Sequence, residues 1–465
     1  LEYFWPQLTG AFTPKVLDNK GKLLYELAVA EKISLNAEAI RELASEIEWR
    51  KQNLLSIAEY QELQKTRPAV AGLSAKKNIA LQTAYEESKA ANQSIDFEDV
   101  LILTLGMLRA EASVREHVRS QYRFFTVDEY QDVSALQQAL LDEWMGDHTE
   151  LCVVGDPNQT IFSFTGATNA FLLGFESRFD NAQTFELRRN YRSTKQIVTF
   201  ANRLTRDQGW MGPLEAAEAT GPAPRIKEFA SLAEEANTVA AEIRTLLDTG
   251  TRAKDIAILF RINGQSEAFE NELGKLGIEY LVRGGQRFFQ RAEIQASIRA
   301  IRAEAAANEA KEAYAGVSEV IRSLGWSTKP PIDVAKRDAW ESLNSLLEIA
   351  DELGTGATLA DLARELDERA RSQHEPTRAA VTLATMHATK GLEWPVVFVV
   401  GLTDGLVPIS FASTDAEIAE EKRLLYVAIT RAQKLLQLSW ASGDATGSST
   451  RQRSRFLSLL ESQSG

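Results

Sequence analysis

Apolar positions recur at helical spacing through residues 1–92. Ile40, Leu43, Ile47 and Leu54-Leu55 form one stripe, with Glu38, Arg41, Glu46 and Arg50 between them. That pattern predicts amphipathic helices. No chemical constellation interrupts it, so the segment reads as a helical support domain. From residue 93 the texture changes. Asp96 is placed to cap a helix whose apolar face carries Phe97, Val100, Leu101, Leu103 and Leu105. The run Phe124-Phe125-Thr126-Val127 is short, aromatic and β-branched, and reads as a buried strand within 123–127. A helix through Leu136, Leu140 and Leu141 follows, then a strand at 151–155, a helix near 168–175 and a strand near 183–187. Strands alternating with helices signal a parallel α/β sheet.

The linker Gly221-Pro222-Ala223-Pro224 ends this stretch, and the alternation restarts. Strands are expected at Ile226–Phe229, Ile256–Phe260 and Ile278–Val282, with helices at Ala233–Leu247 and Ser266–Leu276. Residues 291–377 turn Ala-rich and helical, broken at Pro330-Pro331. Strands return at Val381–Thr385 and Val396–Val400, then a helix at Ile418–Thr430 and a strand at Leu435–Trp440. The expected organisation is a helical domain at 1–92, an α/β domain at 93–220, and a second α/β domain built from 221–290 and 378–465. Residues 291–377 interrupt that second domain as a helical insertion. The Ser-rich end, 441–465, is expected to fray.

The chain has 465 residues, 44% hydrophobic and 25% charged, as in ordinary globular proteins. The longest apolar stretch, Val396 to Leu402, is far too short to span a bilayer. No charged segment with an apolar core and cleavage site opens the chain. It begins at Leu1 within Leu1-Glu2-Tyr3-Phe4-Trp5, which reads as helix, and is taken as a fragment of a longer chain. The single cysteine, Cys152, excludes a disulfide framework, fits a reducing cytoplasm and reads as a small buried hydrophobe. The net charge of −13 argues against a generic nucleic-acid coat protein, but leaves room for a narrow basic channel on an acidic body.

Chemistry concentrates in five places. Asp128-Glu129-Tyr130-Gln131-Asp132 follows the strand at 123–127. Two acids there are costly unless a metal ion or an activated water holds them. One could hold Mg²⁺ on nucleotide phosphates while the next deprotonates water. Gly155-Asp156-Pro157-Asn158-Gln159 leaves the next strand, where ligands of α/β sheets bind, and Gln159 could sense a γ-phosphate. Arg188-Arg189-Asn190-Tyr191-Arg192-Ser193 offers planar guanidinium groups for phosphate and a ring for a nucleobase, with Ser193 reading as a helix N-cap. Met386 to Trp394 gathers His387, Lys390, Gly391 and Glu393 in one loop. Glu420 to Ala432 reads as an amphipathic helix with a basic end. Taken singly, each has a plain reading as a turn, a cap region or a surface helix.

Taken together, their identity and order resemble the UvrD/Rep/PcrA family of superfamily 1 DNA helicases. Motif II is matched by Asp128–Asp132, motif III by Val154–Ala167, motif IV by Leu187–Ser193, motif V by Thr385–Trp394 and motif VI by Glu420–Ala432. Asp96-Phe97-Glu98-Asp99 and Gly284-Gly285-Gln286-Arg287-Phe288-Phe289 are lesser matches. The resemblance implies an α/β fold of two RecA-like parallel-sheet domains, the first incomplete, with helical accessory domains. ATP would lie between the two and single-stranded DNA across both. By position, Asp128 would be the Mg²⁺ ligand, Glu129 the general base and Gln159 the water and γ-phosphate sensor. Arg192 and Arg431 would reach the γ-phosphate. Tyr191, Gly391 and Glu393 would hold the nucleotide, with Tyr191 on adenine and Glu393 near the ribose. Phe162, Phe164, Asn263 and His387 would contact the strand.

The chain also departs from the family pattern. No G-x-x-x-x-G-K-[ST] phosphate loop occurs between Leu1 and Gly465. Phe164 and Thr165 stand where Trp and Arg are usual, and Glu267 where a basic residue is common. The insertion is shorter than the family's 2B domain. The expected function is a fragment of an ATP-dependent 3′→5′ helicase or translocase in DNA repair. It would act on single-stranded DNA and single/double-strand junctions alongside repair proteins not yet identifiable. A rival is a single-stranded-DNA-binding or scaffolding protein without ATPase activity, which the missing loop favours. A nuclease–helicase subunit ranks last, because no spaced Asp/Glu/Lys cluster follows Arg431.

Overall fold

In the computed structural model, the residues described are 1–465 except 11–12, 18, 68, 71–72, 207–211, 218–219, 284–287, 309, 329–333, 355, 372–379, 444–449 and 462–465. Pro330-Pro331 and Gly284–Arg287, singled out above, lie outside them. The chain divides into two compact units, Leu1–Thr184 and Phe185–Gly465. The division falls well before the Gly221–Pro224 linker.

In the first unit, helices Lys20–Ala30, Ala37–Gln52 and Ala75–Ala91 close over Leu24, Leu43, Ile47, Leu81 and Tyr85, and a shorter helix spans Ile57–Leu63. The first helix begins at Trp5 rather than Leu1. β1 (Lys15–Val16) and β2 (Ser94–Ile95) form a short parallel pair. Asp96 caps Phe97–Ala110 through a reciprocal box with Asp99. It does more than cap, because its buried carboxylate also accepts from Lys51 Nζ at 2.6 Å, Lys89 Nζ at 3.1 Å and the Tyr85 hydroxyl at 2.9 Å. Burial alone would raise the Asp96 pKa, but the two ammonium groups outweigh it and hold the carboxyl well below its usual range. The buried side of this helix is Leu105, Met107 and Leu108, and Phe97 is exposed.

β3 (Phe125–Val127) and β4 (Leu151–Val153) pair in parallel, with Val127 level with Val153. They are less buried than their sequence predicts. Phe124 is 76% exposed, and Cys152 is exposed rather than core. Parallel sheets normally have both faces covered. This two-stranded one has no further described strand on either edge.

No strand forms at 183–187, where Phe185 and Leu187 are exposed; the second unit begins at Phe185. Pairing starts at β5 (Arg189–Asn190), which runs parallel to β6 (Glu215–Ala216). The main sheet comprises β7 (Arg225–Phe229), β8 (Ile256–Phe260), β9 (Tyr280–Arg283), β10 (Val381–Thr385), β11 (Trp394–Val399) and β12 (Ala432–Ala441). It is wholly parallel, in the order β7-β12-β11-β8-β10-β9. Ile256, Ile258, Phe260, Leu383 and Phe398 fill one face against Val239 and Ile243 of the helix Leu232–Asp248 and Phe269 of Ser266–Lys275. Continuous apolar strands of this kind are what a sheet buried on both faces requires. Helices Ala292–Ala307, Ala313–Ser323, Val334–Glu352 and Leu359–Arg371 build the insertion around Ile301, Val317, Leu346 and Leu362. Within the Ser-rich end, Arg455–Glu461 does not fray but forms a helix burying Phe456, Leu457 and Leu460. Among the described residues no helix is long and apolar enough to cross a membrane.

Candidate nucleotide and nucleic-acid site

The first unit carries one group of the candidate residues. Asp128 and Glu129 leave β3 with exposed carboxylates. Glu129 has φ 51°, a left-handed conformation that a non-glycine residue adopts at a cost of roughly 1–3 kcal/mol and that clusters at functional sites. The turn is held from behind. Tyr130 N–H donates to the Val154 carbonyl at 2.9 Å, and Glu129 N–H to Asp128 Oδ1 at 2.8 Å. Gln131 is buried and bonded at both ends. Its Nε2 donates to Glu129 Oε2 at 2.6 Å, and its Oε1 accepts from Asp156 N–H at 3.0 Å. Asp156 caps the turn Pro157–Gln159, accepting from Asn158 N–H and from Gln159 Nε2, both at 2.9 Å. Asp128, Glu129 and Gln159 are thereby tied into one hydrogen-bonded group. Phe162 and Phe164 stand on the next turn with ring centroids 6.0 Å apart, and Phe164 is 60% exposed.

The second unit carries the rest, at two ends of its sheet. Asn263 and His387 sit on turns that leave the carboxyl ends of the adjacent strands β8 and β10. Burial, with Arg261 adding to it, drives the His387 pKa down to about 3, so the ring is neutral. Beneath these turns, Arg261 is bound by Glu421 in a buried pair with contacts of 2.8–3.2 Å.

The other cluster lies at the amino ends of β11 and β12. The Asn190 side chain accepts from the N–H groups of Arg192 and Ser193, shaping the turn. Ser193 is not the helix cap, a place taken by Thr194. Its hydroxyl instead donates to the Ala432 carbonyl at 2.6 Å. That bond and Thr194 N–H to Gln433 O bring Arg192 beside Glu393, with which it forms an ion pair. Gln433 Nε2 donates to the other Glu393 oxygen at 2.9 Å. Tyr191 is 68% exposed, with the Arg189 guanidinium 5.5 Å from its ring centre. Gly391 has φ 81°, with open space where a Cβ would be. Arg431 is held inside by local bonds. It is 1% exposed, and its guanidinium donates to the carbonyls of Val427 and Leu392 and to the Thr430 hydroxyl. The segment 386–393 runs from one end of the parallel sheet to the other, linking His387 to Glu393.

Comparison with known proteins sets this arrangement in a family. The model of the UvrD/REP helicase N-terminal domain matches residues 6–180. That of the UvrD-like helicase C-terminal domain matches 185–338 and 307–443. The chain belongs to the UvrD-like helicase family. The ATP-dependent DNA helicase UvrD2 of Mycobacterium tuberculosis is 40% identical over 483 residues, an alignment covering 100% of this chain and 68% of that protein. The ATP-dependent DNA helicase PcrA of Staphylococcus epidermidis is 28% identical over 469 residues, covering 82% of this chain and 64% of that protein. The crystal structure of the C-terminal domain of a possible DNA helicase from Lactobacillus plantarum aligns with a TM-score of 0.28 at 13% identity. That alignment covers 58% of this chain and 92% of the other, a likeness too loose to carry weight.

Within this UvrD-like chain, sequence reasoning missed Gln131, Gln433 and the Arg261–Glu421 pair. Gln131 and Glu421 stood inside quoted motifs, and Arg261 directly follows the apolar strand Ile256–Phe260, where a charged residue is a signal that could have been weighed. Gln433 lay outside the motifs and carried no such signal. Among the described residues no three His, Cys, Asp or Glu gather as a metal cage. A lone exposed carboxylate such as Asp128 still suits Mg²⁺, which binds through one or two carboxylates plus substrate phosphates and waters.

Proposed function

We propose that this chain is a fragment of an ATP-dependent 3′→5′ DNA helicase or translocase serving DNA repair. The observation that carries the reading is Glu129, held in a left-handed turn at the exit of β3 and bonded through Gln131 to the loop of Gln159. That arrangement suits a base that must be aimed at a water and a sensor that must move with it. When bound, Mg²⁺ would supply charge neutralisation on the β- and γ-phosphates, with Asp128 as its protein ligand. Tyr191, Gly391 and Glu393 would take the base and ribose. Arg192 would leave Glu393 for the γ-phosphate. Arg431 would reach the same phosphate by exchanging its main-chain acceptors for phosphate oxygens, which accept stronger, charge-assisted bonds. Phe162, Phe164, Asn263 and His387 would hold single-stranded DNA, with rings suited to sequence-tolerant stacking. Polarity, repair and a preference for junctions are proposed from the family.

The open β3–β4 pair supports fragment status, since a parallel sheet of two strands with exposed faces calls for further strands. In the full-length protein, Glu129→Gln should lower DNA-stimulated ATP hydrolysis by roughly 10²–10⁴-fold while leaving ATP and DNA binding within a few-fold. Near-parental hydrolysis would refute the assignment. Residues 1–465 alone should turn over negligible ATP, and robust turnover would overturn the fragment reading. The absence of a phosphate-loop consensus favours a second reading, a DNA-binding protein without ATPase activity. Inertness of the full-length protein would select it.

A further inference from the structure

We infer that Gln131 is a positioning residue that locks Glu129 and the Gln159 loop into one rigid group. The inference rests on the reading of Glu129 as the base. Gln131 reaches across between the ends of two strands. On one side its amide N–H donates to the Glu129 carboxylate at 2.6 Å, and on the other its carbonyl receives Asp156 N–H at 3.0 Å. Asp156 then passes the constraint on, because its Oδ2 accepts from Gln159 Nε2 at 2.9 Å. An amide suits this post because it has a donor end and an acceptor end. A carboxylate lacks the donor, and an aliphatic side chain lacks both. The side chain is 1% exposed, so either end left unmet would be costly.

Gly155 is the second observation. A Cβ there would lie 2.6 Å from Gln131 Oε1, 2.9 Å from Leu172 Cδ2 and 3.2 Å from the Gln131 main-chain nitrogen. A side chain at 155 would therefore press on Gln131 Oε1, the atom that receives Asp156 N–H, and on the main chain of Gln131. Glu129 sits in an unfavourable left-handed conformation, which persists only where surrounding bonds hold it. Gln131 is one of those bonds, and through Asp156 it also reaches Gln159.

The test pairs hydrogen exchange on residues 1–465 with turnover by the full-length protein. Gln131→Glu keeps the acceptor for Asp156 N–H and loses the donor to Glu129. Gln131→Leu loses both. Exchange of the Asp156 amide, followed by NMR, should stay slow in Gln131→Glu. It should quicken at least about tenfold in Gln131→Leu and in Gly155→Ala. In the full-length protein all three should lower kcat by roughly 10–100-fold with KM within about threefold, the scale of a misplaced catalytic group. Combined with Glu129→Gln, Gln131→Leu should add no further loss, because a residue that acts through another has no effect once its client is gone. Unchanged Asp156 exchange in Gln131→Leu, or a fully additive loss in the double variant, would overturn the inference and leave Gln131 as ordinary core. Failure of the base assignment itself looks different: Glu129→Gln alone would then hydrolyse ATP normally.

Discussion

Glu421→Ala is expected to be among the most damaging single truncations in the second unit. Its carboxylate meets Arg261 at 2.8, 3.0 and 3.2 Å and also accepts Ile409 N–H at 3.1 Å. Both charged side chains are buried. Truncation would strand a guanidinium and an amide away from water, and breaking one side of a buried pair costs about 3–5 kcal/mol. The exposed pair Arg244–Asp248 is the control, an i,i+4 contact worth roughly 0.3–0.5 kcal/mol. For a unit of this size each kcal/mol moves Tm by about 2 °C. Scanning calorimetry should therefore show the Phe185–Gly465 transition lowered by roughly 6–10 °C in Glu421→Ala and by about 1 °C in Asp248→Ala. Arg261→Met with Glu421→Leu should recover most of the loss, since a hydrophobic pair of similar volume leaves no stranded charge. Equal shifts in Glu421→Ala and Asp248→Ala would refute the reasoning.

Three further outcomes are expected. Burial pushes the Glu267 carboxyl up to about 7, with Arg369 opposing and Glu352 and Glu270 reinforcing the rise. An acid whose pKa is raised on folding costs nothing below about 4.5 and destabilises increasingly as pH climbs to about 7. Melting of Glu267→Gln should thus gain on the parent as pH rises from 5 to 8, and a constant difference would count against it. His387, with its pKa near 3, should show no ring titration by NMR between about pH 5 and 8, and a midpoint near 6.5 would contradict its burial. Phe164→Ala in the full-length protein should weaken single-stranded DNA binding by about 1–3 kcal/mol without changing its salt slope or Tm. A fall of several degrees in Tm with unchanged affinity would make the ring part of the core.

The sequence by itself determined the alternation of elements in the second unit, because continuous apolar strands such as Ile256–Phe260 and Trp394–Val399 have few other homes than a covered parallel sheet. It also determined the family, because five ordered motifs keep their chemistry whatever their surroundings. Local signals sufficed for Asp96, whose cap depends on Asp99 three residues on. The tertiary structure alone decided exposure and partnership. Phe124 and Cys152 have core-like sequences yet lie open, because burial depends on what packs over a strand in space and not on the run itself. Arg431 sits in a motif expected to face phosphate, yet local carbonyls hold it inside. Arg192 meets Glu393, Arg261 meets Glu421 and Ser193 meets Ala432 across more than 150 residues of sequence. Periodicity of 2 or 3.6 residues reports which face a side chain takes. It holds no information about which distant charge the folded chain will bring to that face.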